Sequence, residues 1–434
     1  MSVLVQYVLP VFYIAFLAFV LTYIKWLQRA GFAKRFIVIF FVAKCLAGFA
    51  YNWVAIHYIP NRGDIGPFFD DGLYMYHSFL QSPSTFFQTW SQSFKYDDFN
   101  ALHTDSGFIK SAFEIIKTFH FLLNFLSFGS LAGNTVIFNF LTTLCFFYCW
   151  RFFREQLGRQ GLVAGLVFFL LPSMFFYSSG ILKEGLVIAL LCLLIPLSQR
   201  LLTARVSVKR LLSFIFVFAL LFVLKFFVAI LWLFCMAVWW LMASLPKREW
   251  LVLSVCIAVA AGFFFYGEML SPRLNFPEYL VKRQQEFLAL PAASALPVKV
   301  LTAQPVSFVK AMPSSINNVL FKPLPGEGGK AMYLLFSAEM VLFWLGILYL
   351  VFKRKKEPLL PPKISLAIAL LLFAMLNLWV IGLIVPNVGA ILRYRSIFFP
   401  FLAVFVIIIT GWQPHQGKTW LRLAHWVTGP KYSN

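Results

Sequence analysis

Unbroken apolar runs, each about 20 residues or a little shorter, dominate the chain. They fall at 4–24, 36–58, 131–150, 161–178, 184–199, 211–225, 227–245, 250–266, 332–352, 364–385 and 396–412. Backbone groups in lipid need partners within their own segment, so runs of this kind predict helices. A β-barrel would show alternating segments of about ten residues instead. The expected fold is an all-α polytopic integral membrane protein with about 11 transmembrane helices.

The polar connections orient these helices. Lys25, Arg29, Lys34 and Arg35 follow the first run; Arg151, Arg154 and Arg159 follow the third. Arg200, Arg205, Lys209 and Arg210 follow the fifth, Lys247 and Arg248 the seventh, and Lys353, Arg354, Lys355 and Lys356 the ninth. The tail carries Lys418, Arg422 and Lys431. Basic connections stay in the cytoplasm, which predicts an outer N-terminus and an inner C-terminus. Two outer connections, 59–130 and 267–331, are long. Loops beyond about 15 residues are usually functional or disordered. Both are rich in aromatics and leucine, which argues against disorder, and both are expected to contain juxtamembrane helices. The stretch 111–128 is apolar enough for a short span, but a crossing there would break the alternation. Glu114, Lys117 and His120 suit a helix lying at the outer interface.

Composition agrees with this picture. The 434 residues are 61% hydrophobic and 12% charged, against about 25% charged in soluble domains. The net charge of +21 sits in the cytoplasmic clusters, so no nucleic-acid partner is expected. Cys45, Cys145, Cys149, Cys192, Cys235 and Cys256 all lie in apolar runs and suggest neither disulfides nor a zinc site. Cys145 and Cys149 share a helix face, which in such a run means packing. The first run lacks a basic leader and a small-residue cleavage site, so it is expected to be a retained span.

Acid is scarce, with 16 Asp and Glu against 37 Lys and Arg, yet Asp64, Asp70 and Asp71 gather at the mouth of an apolar run. A helix starting near Asp70 would put Asp71, Tyr74 and Met75 on one face. Both carboxylates would then sit at its positive end. Simple capping is the bland alternative for Asp70, but it leaves the gathering of three acids unexplained. Cations also occur on the outer side, against the trend. Lys183 and Glu184 lie at the outer end of the fifth run and Lys225 at the break between the sixth and seventh. Arg393, Tyr394 and Arg395 lie at the outer end of the last. An ionisable group at membrane depth marks function by default, and Arg and Lys bind phosphate. The competing readings are pairing of Lys183 with Glu184 or Glu339, and snorkelling. Lys44, inside the second run, either snorkels or makes a polar contact within the bundle. His57, His77, His103 and His120 lack the spacing of a helical zinc pair, and the loop acids suit a hard ion better. No protein-bound metal is expected.

Asp70-Asp71-Gly-Leu-Tyr74 resembles the Asp-(Asp/Glu)-x-x-Tyr element in the first outer loop of GT-C glycosyltransferases, such as protein O-mannosyltransferases and lipid A aminoarabinose transferases. The layout over 36–412 is similar too: a seven-span core, a long first outer loop and a long outer loop after the seventh span. Ile391-Leu-Arg393-Tyr394-Arg395-Ser-Ile-Phe-Phe-Pro400 resembles the Arg-Tyr…Pro stretch near the end of such enzymes and of some polysaccharide polymerases. Gly63-Asp64 departs from the pattern and leaves the choice of catalytic Asp open.

The resemblance implies transfer of a sugar from a polyprenyl-phosphate carrier to a glycan, lipid or protein acceptor on the outer face. Asp71, Asp70 or Asp64 would be the general base. Tyr74, Lys183, Glu184, Lys225, Arg393, Tyr394 and Arg395 would bind substrate, the cations holding the donor phosphate. Phe276, Tyr279 and Phe287 would cover the sugar. No cofactor is implied beyond the lipid-linked donor, with room for a divalent cation. The implied place is a bacterial inner membrane. The blocks are then 1–35, an added span with the first cytoplasmic loop; 36–266, the core with its acidic loop 59–130; 267–331, the second outer loop; 332–412, a three-span module; and 413–434, a cytoplasmic tail. A Wzy-like polymerase or ligase, which would rely on outer arginines, and a lipid-linked saccharide transporter, which would place charge at the midplane, are the rival readings.

Overall fold

The apolar runs are helices, because lipid offers their backbone no other partner. The structure, a computed structural model, describes residues 4–59, 62–93, 105–203, 207–290, 294–327, 331–354, 361–413 and 418–429. In chain order the helices are α1 (Leu9–Tyr23, entered through a π-helical turn at Leu4–Val8), α2 (Lys25–Arg29), α3 (Lys34–Tyr58), α4 (Asp71–Gln81), α5 (Pro83–Ser93), α6 (Asp105–Ser127) and α7 (Leu131–Leu157). Next come α8 (Arg159–Leu170), α9 (Pro172–Ser179), α10 (Lys183–Thr203), α11 (Val208–Leu224), α12 (Phe226–Ser244) and α13 (Glu249–Tyr266). The remainder are α14 (Phe276–Leu288), α15 (Pro305–Phe321), α16 (Ala331–Phe352), α17 (Pro361–Ile384), α18 (Val388–Arg395), α19 (Phe399–Ile409) and α20 (Lys418–Thr428). No strand forms among the described residues; one isolated bridge joins Ala295 and Asn387.

Among the described residues, eight helical segments are long and apolar enough to cross a membrane. Two bent pairs, α8 with α9 at 59° and α18 with α19 at 49°, raise the number to ten if each pair is one span. Pro172 accounts for the first bend, since it lacks an N–H and disfavours helical backbone at Leu171. The predicted span 211–225 is α11, whose 17 residues reach about 26 Å, short of a hydrocarbon core of about 30 Å. It is therefore not one of the ten. The predicted span 396–412 also differs: its helix starts earlier, at Val388, and breaks before Phe399. The stretch 111–128 lies in α6, which is too polar to rank among the candidate spans.

The chain forms two compact units, each assembled from non-consecutive pieces that cut across the blocks drawn from the sequence. The first comprises 1–152, 175–229 and 414–434. Its core includes Trp150, fully buried, with Phe32 at 5.3 Å and Phe36 at 5.4 Å. The tail helix α20 docks at the start of α3: the Ala33 amide donates to the Val427 carbonyl at 2.9 Å, and Trp426 packs on Phe36. Helix α6 packs against both α4 and α11.

The second unit comprises 153–174 and 230–413. Helix α17 packs against α15, α19 and α14. Much of the second long loop is ordered. Gln284, buried on α14, donates to the carbonyls of Lys299 (3.0 Å) and Leu383 (2.6 Å) and accepts from the Leu301 amide (2.8 Å). One amide side chain thus joins the extended segment after α14 to the end of α17. Leu296 donates to the Pro386 carbonyl at 2.8 Å, and Ser294 donates to Asn387 at 3.1 Å. The loop is sewn to the residues that lead into α18.

Candidate active site

The acidic turn is helical earlier than expected. Helical backbone begins at Ile65 and passes through a π-helical turn, Gly66–Asp70, directly into α4. Asp70 and Asp71 therefore lie inside a continuous helical segment. Asp70 has helical φ and ψ and makes no side-chain cap bond, so the capping reading is overturned. Single π turns are frequent at functional sites. Just before them, Arg62 and Gly63 take the left-handed conformation, φ 59° and 57°. For Arg62 this conformation is strained, and such strain persists only where the surroundings impose it.

Packing decides which way the acids face. Gly72 lies against α6 so closely that a Cβ there would be 2.9 Å from the His120 Cβ and from the Lys117 carbonyl oxygen. Met75 and Tyr76 are buried with Phe86 and Phe121. Asp71 and Tyr74 are left on the exposed side, Tyr74 being 74% exposed. Met75 does not join their face: it points into the packed side of α4. Asp70 is half-buried and pairs with Arg62 at 3.4 Å. Burial pushes the Asp70 carboxyl above its usual pKa; the charge of Arg62 pulls it back and that of Asp71 pushes it up again, leaving it raised. Asp64 is half-buried at the start of the turn, its carbonyl accepting from Phe68 at 3.2 Å.

The same unit brings Lys183 to this helix group. Phe68 of the acidic turn packs on Phe113 of α6, ring centroids 5.3 Å apart, and the Lys183 ammonium lies over that Phe113 ring at 5.9 Å. Among the described residues no carboxylate pairs with Lys183, so the competing reading, pairing with Glu184 or Glu339, does not hold. Glu184, 1% exposed, faces Lys225 at 3.7 Å instead. Glu339, in the second unit, accepts from the Ser173 amide at 3.0 Å and hydroxyl at 2.7 Å. Neither Arg62 nor Phe113 was singled out from the sequence. Phe113 is one phenylalanine among 53, with no pattern to distinguish it.

The second unit holds the arginines. Arg395 is 2% exposed and donates to the carbonyls of Val319 (2.9 Å) and Lys322, at the end of α15. Its guanidinium also lies over Phe399. Arg393 is half-buried beside the Tyr394 ring, 5.4 Å from its centroid. Of the aromatics expected over a sugar, Phe276 packs on Phe263 and Phe264 of α13, and Tyr279 accepts from Arg283 at 3.1 Å. Phe287 is half-buried. Among the described residues no group of three or more His, Cys, Asp or Glu is arranged to hold a metal ion.

Lys44 does not snorkel. It is fully buried, with its ammonium turned to Ser178 and Ser179.

Comparison with protein-family models, with curated proteins and with solved structures finds no match to this chain. The functional reading therefore rests on the residues themselves.

Proposed function

We propose that the protein is a membrane glycosyltransferase of GT-C type. It moves a sugar from a polyprenyl-phosphate carrier to an acceptor on the outer face of the membrane, with the N-terminus outside and the C-terminus inside; eleven crossings result if the short α11 crosses where the bilayer thins. One observation carries the reading most: Phe68 of the acid-bearing helical turn and Lys183, a lysine with no carboxylate partner among the described residues, both meet the same ring, Phe113.

In this reaction a carboxylate of the turn, Asp71 by choice since it is exposed beside Tyr74, takes the proton of the acceptor hydroxyl. The acceptor oxygen bonds to the anomeric carbon as the bond from that carbon to the phosphate oxygen breaks. The electron pair leaves with the lipid phosphate, whose growing charge is met by fixed cations. Lys183 supplies this positive charge; the Lys225 charge is already shared with Glu184.

The test compares Asp64→Asn, Asp70→Asn and Asp71→Asn in a sugar-transfer assay, with melting temperature measured alongside. Loss of the general base costs about 10²–10⁴-fold in rate. Full activity in all three variants, within a few-fold, ends the transferase reading and leaves the polymerase, ligase and transporter alternatives.

A further inference from the structure

One face of α3 grips the last turn of α9 and the short link, 180–182, from which Lys183 emerges. Lys44, Gly48, Tyr51 and Asn52 follow the i, i+4, i+7, i+8 spacing of a single helix stripe. An ammonium has three N–H donors. Three oxygens of the turn surround Lys44 Nζ: the Ser178 carbonyl at 3.3 Å, the Ser178 hydroxyl at 3.2 Å and the Ser179 hydroxyl at 3.2 Å. None is charged. The face of Phe146 covers the same ammonium at 4.4 Å, a contact that favours a cation.

One helical turn along, Gly48 lies so close that a Cβ there would be 2.5 Å from the Ser179 carbonyl oxygen. The Asn139 amide of α7 donates to that oxygen at 2.8 Å. Next, the Tyr51 ring presses on Gly180, where a Cβ would lie 2.3 Å from Tyr51 Cδ1. Ile181 and Leu182 are buried, and Leu182 donates back to the Gly180 carbonyl at 2.8 Å. The next residues are Lys183 and Glu184, at the start of α10.

An apolar contact would join these helices at lower cost, because a buried charge is expensive unless hydrogen-bonded. The ammonium adds direction: its three donors fix three particular oxygens. We propose that Lys44 is a positioning residue, which together with Gly48, Tyr51 and Asn139 fixes the 178–182 turn and so sets where Lys183 stands. The positioning rests on geometry alone; its effect on catalysis rests on the transferase reading.

The test uses the full chain in lipid vesicles. Lys44→Met keeps an unbranched side chain only one atom shorter and removes the donors. The labelling rate of Lys183 by an amine-reactive reagent is followed by peptide mass spectrometry, with exposed Lys310 as the internal control. The expected result is a several-fold change at Lys183 and none at Lys310. Lys44→Arg, which keeps charge and donors, restores part of the difference. With a polyprenyl-phosphate sugar as probe, KM rises about tenfold in Lys44→Met while kcat stays within about twofold.

An unchanged Lys183 rate in folded Lys44→Met overturns the proposal, even if the melting temperature falls. A changed rate with unchanged KM supports the positioning and removes Lys183 from donor binding. If Lys44→Met does not accumulate, Ser179→Ala removes one of the three acceptors. It then gives a smaller change at Lys183 in the same direction, and no change there is equally fatal.

Discussion

Glu184 and Lys225 are 3.7 Å apart, with their side chains 1% and 9% exposed. The pair closes the start of α10 against the break between α11 and α12. Removing one partner of a buried pair leaves an uncompensated charge, at a cost of about 3–5 kcal/mol. Glu184→Gln and Lys225→Met are each expected to lower the melting temperature markedly. The double variant is expected to recover much of the loss. Thermal unfolding of all four proteins in one detergent checks this, and additive losses would mean that the two side chains do not act as a pair.

The two arginines of α18 should separate by phenotype. Arg395→Ala leaves the Val319 and Lys322 carbonyls without their donor, and each buried orphan costs about 1–3 kcal/mol. Loss of stability is expected, with partial rescue in Arg395→Lys. Arg393→Ala is expected to fold normally and to bind a prenyl phosphate more weakly. Melting temperature and donor affinity, measured on both variants, decide between these roles. Normal donor affinity in Arg393→Ala removes that residue from the phosphate site.

Topology is open to a direct check. Reporter fusions after Lys34, Asn100, Arg205, Lys299 and Lys355 are expected to read in, out, in, out, in. Because α11 is short, the signals at Arg205 and Lys299 bear on the count of crossings. A signal from the cytoplasm at Asn100 would place the acidic turn on the wrong face for outer transfer.

Asp70 gives a pH signature. Its folded-state pKa is raised above the ordinary 3.8, so the folded protein binds the Asp70 proton more tightly than the unfolded chain does. Stability from this group is full below about that ordinary value and is lost as pH rises through the folded one. Asp70→Asn should therefore flatten the melting profile over that mildly acidic window without lowering the melting temperature at neutral pH. Arg62→Ala removes the opposing charge and should steepen the profile. The reverse order of slopes would mean that Arg62 does not act on Asp70.

Much of the architecture was legible because it follows from composition and period. Apolar runs need internal hydrogen bonds, so the helices and most of their limits came within a few residues of expectation. The acidic turn also stood out, since three acids in an acid-poor chain are visible without coordinates. Even the short length of α11 is a matter of counting residues.

The rest depended on which side chains meet. No local pattern says that Glu184 faces Lys225 and not Lys183, that Arg395 is committed to α15, or that Phe113 meets both Phe68 and Lys183. These are contacts between segments far apart in the chain, chosen by packing. Lys44 is the clearest case. Its sequence context, a lone lysine in an apolar run, allowed either snorkelling or burial. Only the approach of the Ser178–Ser179 turn to Gly48, where a glycine lets the backbones meet, supplies the three oxygens that let an ammonium remain inside.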